Sequence, residues 1–212
     1  MPLYEREDKI LSLLQSEDSV PLEILAKELF ISLPTLRRDL IKLEKKGLVQ
    51  RMHGKVAIKK TAPDENIPFV LRMDEYSEKK FAMAKRAVEH IKDGDTIMLD
   101  ASTSAYCIIP YLKPLKDILV ITSGAKTALM LAHLGINSIS SGGKMITRSF
   151  SYVGRDATEL LERYNADIAF FSCRGLSDDG IPSDNSIEEN DVRRVMIRHA
   201  KKRILLCDKS KF

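Results

Sequence analysis

The chain has 212 residues, is 44% hydrophobic and carries a net charge of +4, which predicts a small N-terminal unit beside one domain of ordinary size. It contains no run of about eighteen apolar residues, and its first residues, MPLYEREDKI, lack the apolar core of a secretion signal, so we expect a cytoplasmic protein without a membrane segment. The three cysteines are never in a C-x-x-C pair and the histidines lack metal-ligand spacing, so we expect reduced, buried thiols, no metal site and no cofactor.

The first residues of the chain show the apolar spacing of three short helices. The predicted helices span about residues 4–16, 22–29 and 32–46. Only Phe30, Ile31 and the cap residue Ser32 join the second helix to the third, and that short connection is typical of a helix-turn-helix. Ser32 can cap the third helix and Gly47 can end it, so the boundaries of this helix are well marked.

A hairpin is predicted directly after the third helix. Two short extended runs, residues 48–52 and 55–59, flank His53 and Gly54. Glycine readily takes the positive φ that a two-residue hairpin turn demands. The sequence therefore predicts a winged helix-turn-helix over residues 1–60.

Charge is distributed unevenly along this unit. Residues 1–31 hold three Lys or Arg against seven Asp or Glu, whereas residues 32–60 hold nine against two. An isolated run of basic residues usually solvates an exposed helix face. Here the run lies on the last helix of a helix-turn-helix and on the hairpin behind it, which favours binding to the phosphates of double-stranded DNA.

Roles within the basic patch follow from position. The first turns of a recognition helix meet base edges, so Thr35, Arg37 and Arg38 are the candidate sequence readers. Basic residues farther along the helix and on the hairpin are expected to contact phosphates or the minor groove. Asp39 is expected to form an orienting ion pair with Arg38 or Lys42. The full set of predicted DNA-binding residues is Ser32, Thr35, Arg37, Arg38, Lys42, Lys45, Arg51, His53 and Lys55.

Residues 61–76 contain two prolines and little periodicity, which predicts a linker. In residues 77–212, short apolar runs rich in β-formers alternate with helical patterns, which predicts a mostly parallel α/β sheet covered on both faces. The predicted strands span residues 96–99, 118–122, 136–140, 168–172 and 203–207. The predicted helices span residues 78–90, 106–112, 125–134, 158–164 and 188–200.

Glycines and small polar residues gather where the predicted strands end. Ligands of such sheets bind beyond the carboxyl ends of the strands, and small residues that lead into a helix let an anion approach its positive end. Any one of these loops is explained equally well by helix capping or chain turning; five convergent loops indicate a phosphate cradle. The candidate residues are Asp100, Ser102, Thr103, Ser104, Thr122, Ser123, Gly142, Gly143, Arg174 and Lys211.

These motifs resemble one family from end to end. The segment LSLLQSEDSVPLEILAKELFISLPTLRRDLIKLEKKGLVQRMHG is similar to the winged helix-turn-helix of DeoR-type bacterial transcriptional regulators, and TLRRDL followed by LE and G is specific to them. The segments DGDTIMLDASTS, VITSG, SGG, DIAFFSC and LLCDKSKF resemble their effector domain in order and spacing. The resemblance implies a fold like ribose-5-phosphate isomerase and a phosphorylated sugar or polyol as inducer. It places Asp100 and residues 102–104 at the phosphate loop, and Lys211 at a late D-x-S-K lysine.

The chain departs from the family pattern at several positions. The family usually has DAGTT where this chain has DASTS, so Ser102 replaces a glycine that lets backbone approach the ligand. The family's TNS becomes Thr122, Ser123 and Gly124, which removes an amide side chain. The family continues beyond the lysine motif, so an end at Phe212 indicates a truncated product or an unusually closed domain.

The sequence thus predicts a non-enzymatic DNA-binding regulator of sugar or polyol genes, with a sugar phosphate controlling a homodimer or homotetramer on its operator. We favour a repressor whose binding to DNA is relieved by the ligand, and an activator is the other possibility that the sequence allows. The alternative is a sugar-phosphate isomerase with a DNA-binding appendage, which would use Asp100, Asp178, Asp179, Glu188 or Lys211 as acid and base. The K-G-x-G-G and D-G-A-D-E segments of such isomerases are absent from the sequence.

Overall fold

A computed structural model describes residues 3–15, 17–59 and 67–212. The chain divides into two compact units, Met1–Glu75 and Tyr76–Phe212. Within the described ranges, no helix has the length and apolar character needed to cross a membrane.

The N-terminal unit contains the predicted helix-turn-helix and hairpin. Its elements are α1 (Leu3–Gln15), β1 (Val20–Pro21), α2 (Leu22–Glu28), α3 (Leu33–Lys45), β2 (Val49–Met52), β3 (Lys55–Ile58) and α4 (Phe69–Asp74). β2 pairs antiparallel with β3, from Val49 opposite Ile58 to Met52 opposite Lys55. β1 adds a third antiparallel strand on the other side of β3. This strand was not predicted because two residues are too few to show an alternating pattern.

The core of this unit is built from the apolar stripes of the three helices. Ile10, Leu14, Leu36, Leu40 and Leu43 are at most 1% exposed. They pack with residues of the hairpin and with α2 in one cluster. Because each stripe has helical spacing, burying it fixes which face of each helix turns outward.

The linker prediction is wrong for residues 69–74, which form α4. Leu71 is buried in the core of the N-terminal unit, and its carbonyl oxygen accepts a hydrogen bond from Gln15 Nε2 at 3.1 Å. Pro68, one of the two prolines of the predicted linker, occupies the N-cap of α4, a position where a missing N–H costs nothing. Residues 61–66 of the predicted linker lie outside the described residues.

The C-terminal unit is the predicted parallel α/β domain. Its helices are α5 (Ser77–Ala87), α6 (Thr103–Tyr106), α7 (Ile109–Leu112), α8 (Ala125–His133), α9 (Arg155–Glu162) and α10 (Ile187–Arg198). Its strands are β4 (Thr96–Leu99), β5 (Leu119–Thr122), β6 (Ser138–Ser140), β7 (Lys144–Ile146), β8 (Ser151–Val153), β9 (Ala166–Ser172), β10 (Gly175–Leu176), β11 (Pro182–Ser183) and β12 (Ala200–Leu206). Among the described residues, five strands form a parallel sheet in the order β12-β9-β4-β5-β6.

This unit differs from prediction at one helix and at two short hairpins, of which the antiparallel pair of β10 and β11 is one. The single helix expected over residues 106–112 is wrong: α6 and α7 replace it, because Pro110 cannot continue a helix past the carbonyl of Tyr106. The antiparallel hairpin of β7 and β8 was not predicted either. It lies against the loop after β5, where Tyr152 N donates to Ser123 O at 2.7 Å.

Candidate nucleic-acid interface and effector site

The start of α3 is organised as its sequence indicates. Ser32 accepts a hydrogen bond from Thr35 N at 3.4 Å, and the two hydroxyl oxygens lie 2.9 Å apart. Gly47 follows the helix with φ +73° and ends it. The cap fixes where the helix begins, and the buried leucine stripe fixes its rotation about its own axis.

The opposite face of α3 presents free cations to solvent. Arg37, Arg38, Lys42 and Lys45 are exposed. Among the described residues, none of these four side chains has a hydrogen-bond or ion-pair partner. Thr35 is half-buried at the same end of the helix as the two arginines. An exposed, unpaired guanidinium keeps its planar donors available for a base edge or a phosphate.

Asp39 forms the predicted ion pair, but with a different partner. It is 3% exposed, and its carboxylate accepts from Arg6 of α1, with Arg6 Nε 2.8 Å from Oδ2 and Nη2 3.4 Å from Oδ1. The hydrogen bond from Arg6 to Asp39 raises the pKa of Arg6. The prediction of Arg38 or Lys42 as partner is wrong because position 39 lies on the same face as Leu36 and Leu43. That helical spacing was visible in the sequence.

The wing carries basic residues in two different states. Arg51 is bound to Glu44 at the end of α3, with Nε and Nη2 2.7 and 2.6 Å from Oε2. This hydrogen bond and one from Arg51 N lower the pKa of Glu44. His53 and Lys55 are exposed at the hairpin turn, where Gly54 has φ +71°. Arg51 would have to share its guanidinium between Glu44 and a phosphate.

In the C-terminal unit, Asp100 organises the loops rather than facing an open site. It is 1% exposed. One carboxylate oxygen accepts from Ser102 N at 3.0 Å, and the other accepts from Ser172 N at 3.1 Å and Arg193 Nε at 3.0 Å. Three donors therefore satisfy a carboxylate that would repel a phosphate if it were exposed.

Arg193 is a central side chain that sequence reasoning missed. Its Nη1 donates to Asp184 Oδ2 at 2.9 Å and to Asn190 Oδ1 at 3.1 Å, while Nε binds Asp100. Burial acts to lower the pKa of Arg193, but Asp100 and Asp184 outweigh it and hold the pKa above its usual value. The residue lies on α10, 93 positions from Asp100, so only the folded chain reveals the pair.

The small polar residues at the strand ends serve local structure. Ser102 accepts from Ala105 N at 3.1 Å and caps α6, and Thr122 Oγ1 accepts from Gly124 N at 3.0 Å. Thr103, Ser104, Thr122 and Ser123 are all buried. Each of these observations agrees with the simpler explanation that the residues cap helices and shape turns.

Two cavities lie beside these loops. The first, lined by Asp100, Ser123, Tyr152, Glu189 and Arg193 among others, has a volume of about 10 Å³ and admits at most one water. The second, of about 210 Å³, lies between the end of β9 and α10. Polar residues of its lining are Ser172, Ser183, Asn190, Arg193 and Arg194. Arg174 lies at the end of β9 and Lys211 in the last turn, and neither lines these two cavities.

Gly142 and Gly143 both have positive φ, +64° and +101°, but their surroundings differ. A Cβ at Gly143 would lie 2.7 Å from Val153 O and 3.2 Å from Ala157, whereas a Cβ at Gly142 meets open space. We expect Gly143→Ala to lower the free energy of unfolding by about 3 kcal/mol, through backbone strain and the clash with β8. Gly142→Ala should cost only about 1 kcal/mol. Urea unfolding measures both, and equal losses would contradict this explanation.

The carboxylates of the isomerase alternative do not converge. Asp100 is buried against Arg193. Asp178 and Asp179 are exposed in the turn between β10 and β11, and Glu188 pairs with Lys144 at 3.0 Å. A general acid and base must reach one substrate together, so this arrangement provides no catalytic pair.

Comparison with known proteins gives the family. A family model described as a DeoR-like helix-turn-helix domain matches residues 6–62, and one described as the DeoR C terminal sensor domain matches residues 75–212. The HTH-type transcriptional regulator GolR of Listeria innocua is 32% identical over 98% of this chain and 82% of its own length. The L-fucose operon activator of Escherichia coli is 31% identical over 98% of this chain and 86% of its own length. The lactose phosphotransferase system repressor of Staphylococcus epidermidis is 30% identical over all of this chain and 84% of its own length.

Among solved structures, D-ribose-5-phosphate isomerase in complex with phospho-erythronic acid matches with a TM-score of 0.49 and 17% identity. The match covers 64% of this chain and about half, 53%, of the isomerase chain. The relatives that match along the whole chain are named as regulators. The chain belongs to the DeoR family of DNA-binding transcriptional regulators.

Proposed function

We propose that α3 enters the major groove of an operator and that a phosphorylated sugar bound by the C-terminal unit controls this binding. The observation that carries the DNA-binding part is a pair of exposed arginines, Arg37 and Arg38, that have no partner in the described ranges and lie on a capped helix whose opposite face is buried. In this assignment Thr35, Arg37 and Arg38 contact base edges. Ser32 lies at the helix start, where its backbone faces a phosphate.

The remaining basic residues supply affinity without much specificity. Contacts to phosphates or the minor groove come from Lys42, Lys45, His53 and Lys55. Arg51 can make such a contact if one of its hydrogen bonds to Glu44 breaks. Each phosphate neutralised adds about 0.9 to the slope of log K against log salt. Replacing one of these lysines should therefore weaken binding to all sequences alike and make it less dependent on salt.

Support for a phosphorylated sugar comes from the end of the sheet. Arg174 and Lys211 lie there with the hydroxyl and glycine residues of five loops, and the neighbouring cavity of about 210 Å³ has a polar lining. One relative is named as an activator of an L-fucose operon, and another is named as a repressor of a lactose phosphotransferase system. We favour relief of repression by the ligand.

The cavity beside Asp100 is closed, so in this proposal a ligand that reaches the Asp100 loop must displace the β7–β8 hairpin or α10. Such a movement links occupancy of the site to the packing of the C-terminal unit. In a homodimer or homotetramer it would alter the spacing of two recognition helices, which meet half-sites about 34 Å apart. A coupling of about 1 to 3 kcal/mol suffices to change operator occupancy. The assembly would act in the cytoplasm, where its DNA lies.

A thermal-shift screen across phosphorylated sugars and polyols, each beside its unphosphorylated counterpart, tests the effector class. A ligand present at about 100 times its Kd should stabilise the protein by about 2.7 kcal/mol and raise Tm by several degrees. The same compound should change the shift of an operator fragment in a gel. Stabilisation by the free sugar and its phosphate alike would contradict a phosphate site.

Lys211 and Lys209 form a matched pair for testing the cation at this site. Both lie in the last turn, Lys211 half-buried and Lys209 exposed. Because a charge-assisted hydrogen bond is worth about 1.5 to 3 kcal/mol, Lys211→Gln should weaken sugar-phosphate binding by about 10- to 150-fold. Lys209→Gln should change it less than about 3-fold. Calorimetry measures both affinities, and equal effects of the two changes would remove Lys211 from the site.

A further inference from the structure

Two of the three cysteines are neighbours in the fold, although 34 residues separate them in the chain. β9 and β12 are adjacent parallel strands, and their last paired residues are Ser172 and Leu206. Cys173 and Cys207 are the next residues on each strand, so their side chains leave the same face of the sheet. All three cysteines are free thiols, and two of them, Cys173 and Cys207, lie side by side at the ends of neighbouring strands.

The position of the two cysteines suits a disulfide. Adjacent strands lie about 4.8 Å apart. This separation falls inside the Cα to Cα range of about 4.4 to 6.8 Å that disulfides span. Both residues follow the last hydrogen-bonded pair of the ladder, so small backbone adjustments there break no strand pairing.

The two thiols differ in access to solvent. Cys207 is half-buried, and its Sγ lies 3.7 Å from Asp208 O. Cys173 is 8% exposed and lines the cavity of about 210 Å³. Burial, followed by the neighbouring Cys207 thiol, raises the pKa of Cys173 to about 11. At neutral pH Cys173 is therefore a protonated thiol. Cys207 is the sulfur that solvent reaches more easily.

We propose that Cys173 and Cys207 form an oxidisable dithiol, whose reagent is a small hydroperoxide and whose product is a disulfide joining β9 to β12. The Cys207 thiolate attacks one peroxide oxygen, the O–O bond breaks, and the leaving oxygen takes up the proton of the Cys207 thiol. Cys207 becomes a sulfenic acid. The Cys173 sulfur then attacks the Cys207 sulfur, and its proton leaves with the displaced hydroxide as water. Two thiols lose two electrons and two protons, and the hydroperoxide is reduced to an alcohol or water plus one further water.

The disulfide would tie together the strand ends that carry two cations of the effector site. Arg174 directly follows Cys173, and Lys211 lies four residues after Cys207. Oxidation would restrict the movement of both side chains, and an effect of this on effector binding rests on the proposed function. Formation of the disulfide needs neither sugar nor DNA, so it can be tested independently of the proposed function.

Peptide mapping of the full-length protein tests the step directly. Trypsin places the three cysteines on separate peptides: residues 93–116 with Cys107, 164–174 with Cys173 and 204–209 with Cys207. After treatment with hydrogen peroxide and alkylation under denaturing conditions, we expect a linked pair of peptides 164–174 and 204–209. Two of three alkylatable thiols should be lost, and dithiothreitol should restore both. Cys107, 0% exposed, is the internal control and should stay alkylatable.

Two variants separate the steps. Cys173→Ala should leave Cys207 as a sulfenic acid that dimedone traps, and Cys207→Ser should leave Cys173 reduced. A linked peptide that contains Cys107, a disulfide between two chains on a non-reducing gel, or three intact thiols in peroxide-treated native protein would overturn the proposal. Native protein alone decides the matter if a variant fails to fold.

Discussion

Replacing Arg37 and Arg38 together by alanine is expected to abolish operator-specific binding while leaving the fold intact. Both side chains are exposed and unpaired within the described part of the chain, so their loss breaks no internal contact there. A bidentate arginine to guanine contact discriminates by about 1 to 3 kcal/mol, so losing two contacts should weaken specific binding by at least about 30-fold. Gel shifts with operator and scrambled duplexes at constant salt measure the loss.

The matched control removes two positive charges elsewhere. Lys113→Ala with Lys116→Ala changes exposed residues between α7 and β5, outside the N-terminal unit. We expect this variant to keep specific binding within about 3-fold, because the two lysines belong to the C-terminal unit and not to the helix-turn-helix. The arginine variant must also retain the wild-type unfolding midpoint. Specific binding that survives in the arginine variant would refute the assignment of α3 as the reading helix.

Arg193→Met is expected to destabilise the C-terminal unit more than any other single change discussed here. The substitution leaves Asp100, 1% exposed, without its cationic partner and removes a donor from Asp184. Breaking a buried ion pair by removing one partner costs about 3 to 5 kcal/mol. The midpoint of thermal unfolding should therefore fall by roughly 10 °C.

The adjacent residue provides the control. Arg194 also lies on α10 but is exposed, and it pairs with Asp191 three residues earlier at 3.3 Å. A surface pair of this kind is worth at most about 0.5 kcal/mol, so Arg194→Met should leave the midpoint nearly unchanged. If Arg193→Met and Arg194→Met shifted the midpoint equally, the ion pair between Arg193 and Asp100 would not be what stabilises the unit. The midpoint of Asp100→Asn should lie between those of the two arginine variants, since Asp184 still neutralises Arg193.

The N-terminal unit was largely predictable because its information is local. The spacing of Leu36, Leu40 and Leu43 fixed the buried face of α3, and Ser32 and Gly47 marked its ends. The partner of Asp39 was not predictable in the same way. Arg6 lies 33 residues away, and only the packing of α1 against α3 brings it near.

The strand ends of the proposed effector site were predictable, and the side chains around them were less so. The strand ends were located because short β-rich runs stop at small polar residues, as at Thr122 and Ser172. Side chains that complete the site come from outside those loops. Arg193 reaches it from α10, and Tyr152 reaches it from a hairpin whose strands have three residues each. The pairing of Cys173 with Cys207 depends on strand order, which a single sequence does not specify.

The most direct test of DNA reading by α3 is a crystal structure of the protein bound to its operator duplex. We expect α3 to lie in the major groove, with Arg37 or Arg38 within hydrogen-bonding distance of guanine O6 and N7. The hairpin turn at His53 and Lys55 should then lie beside the sugar-phosphate backbone. A complex in which the exposed face of α3 points into solvent, and another surface contacts the duplex, would contradict it.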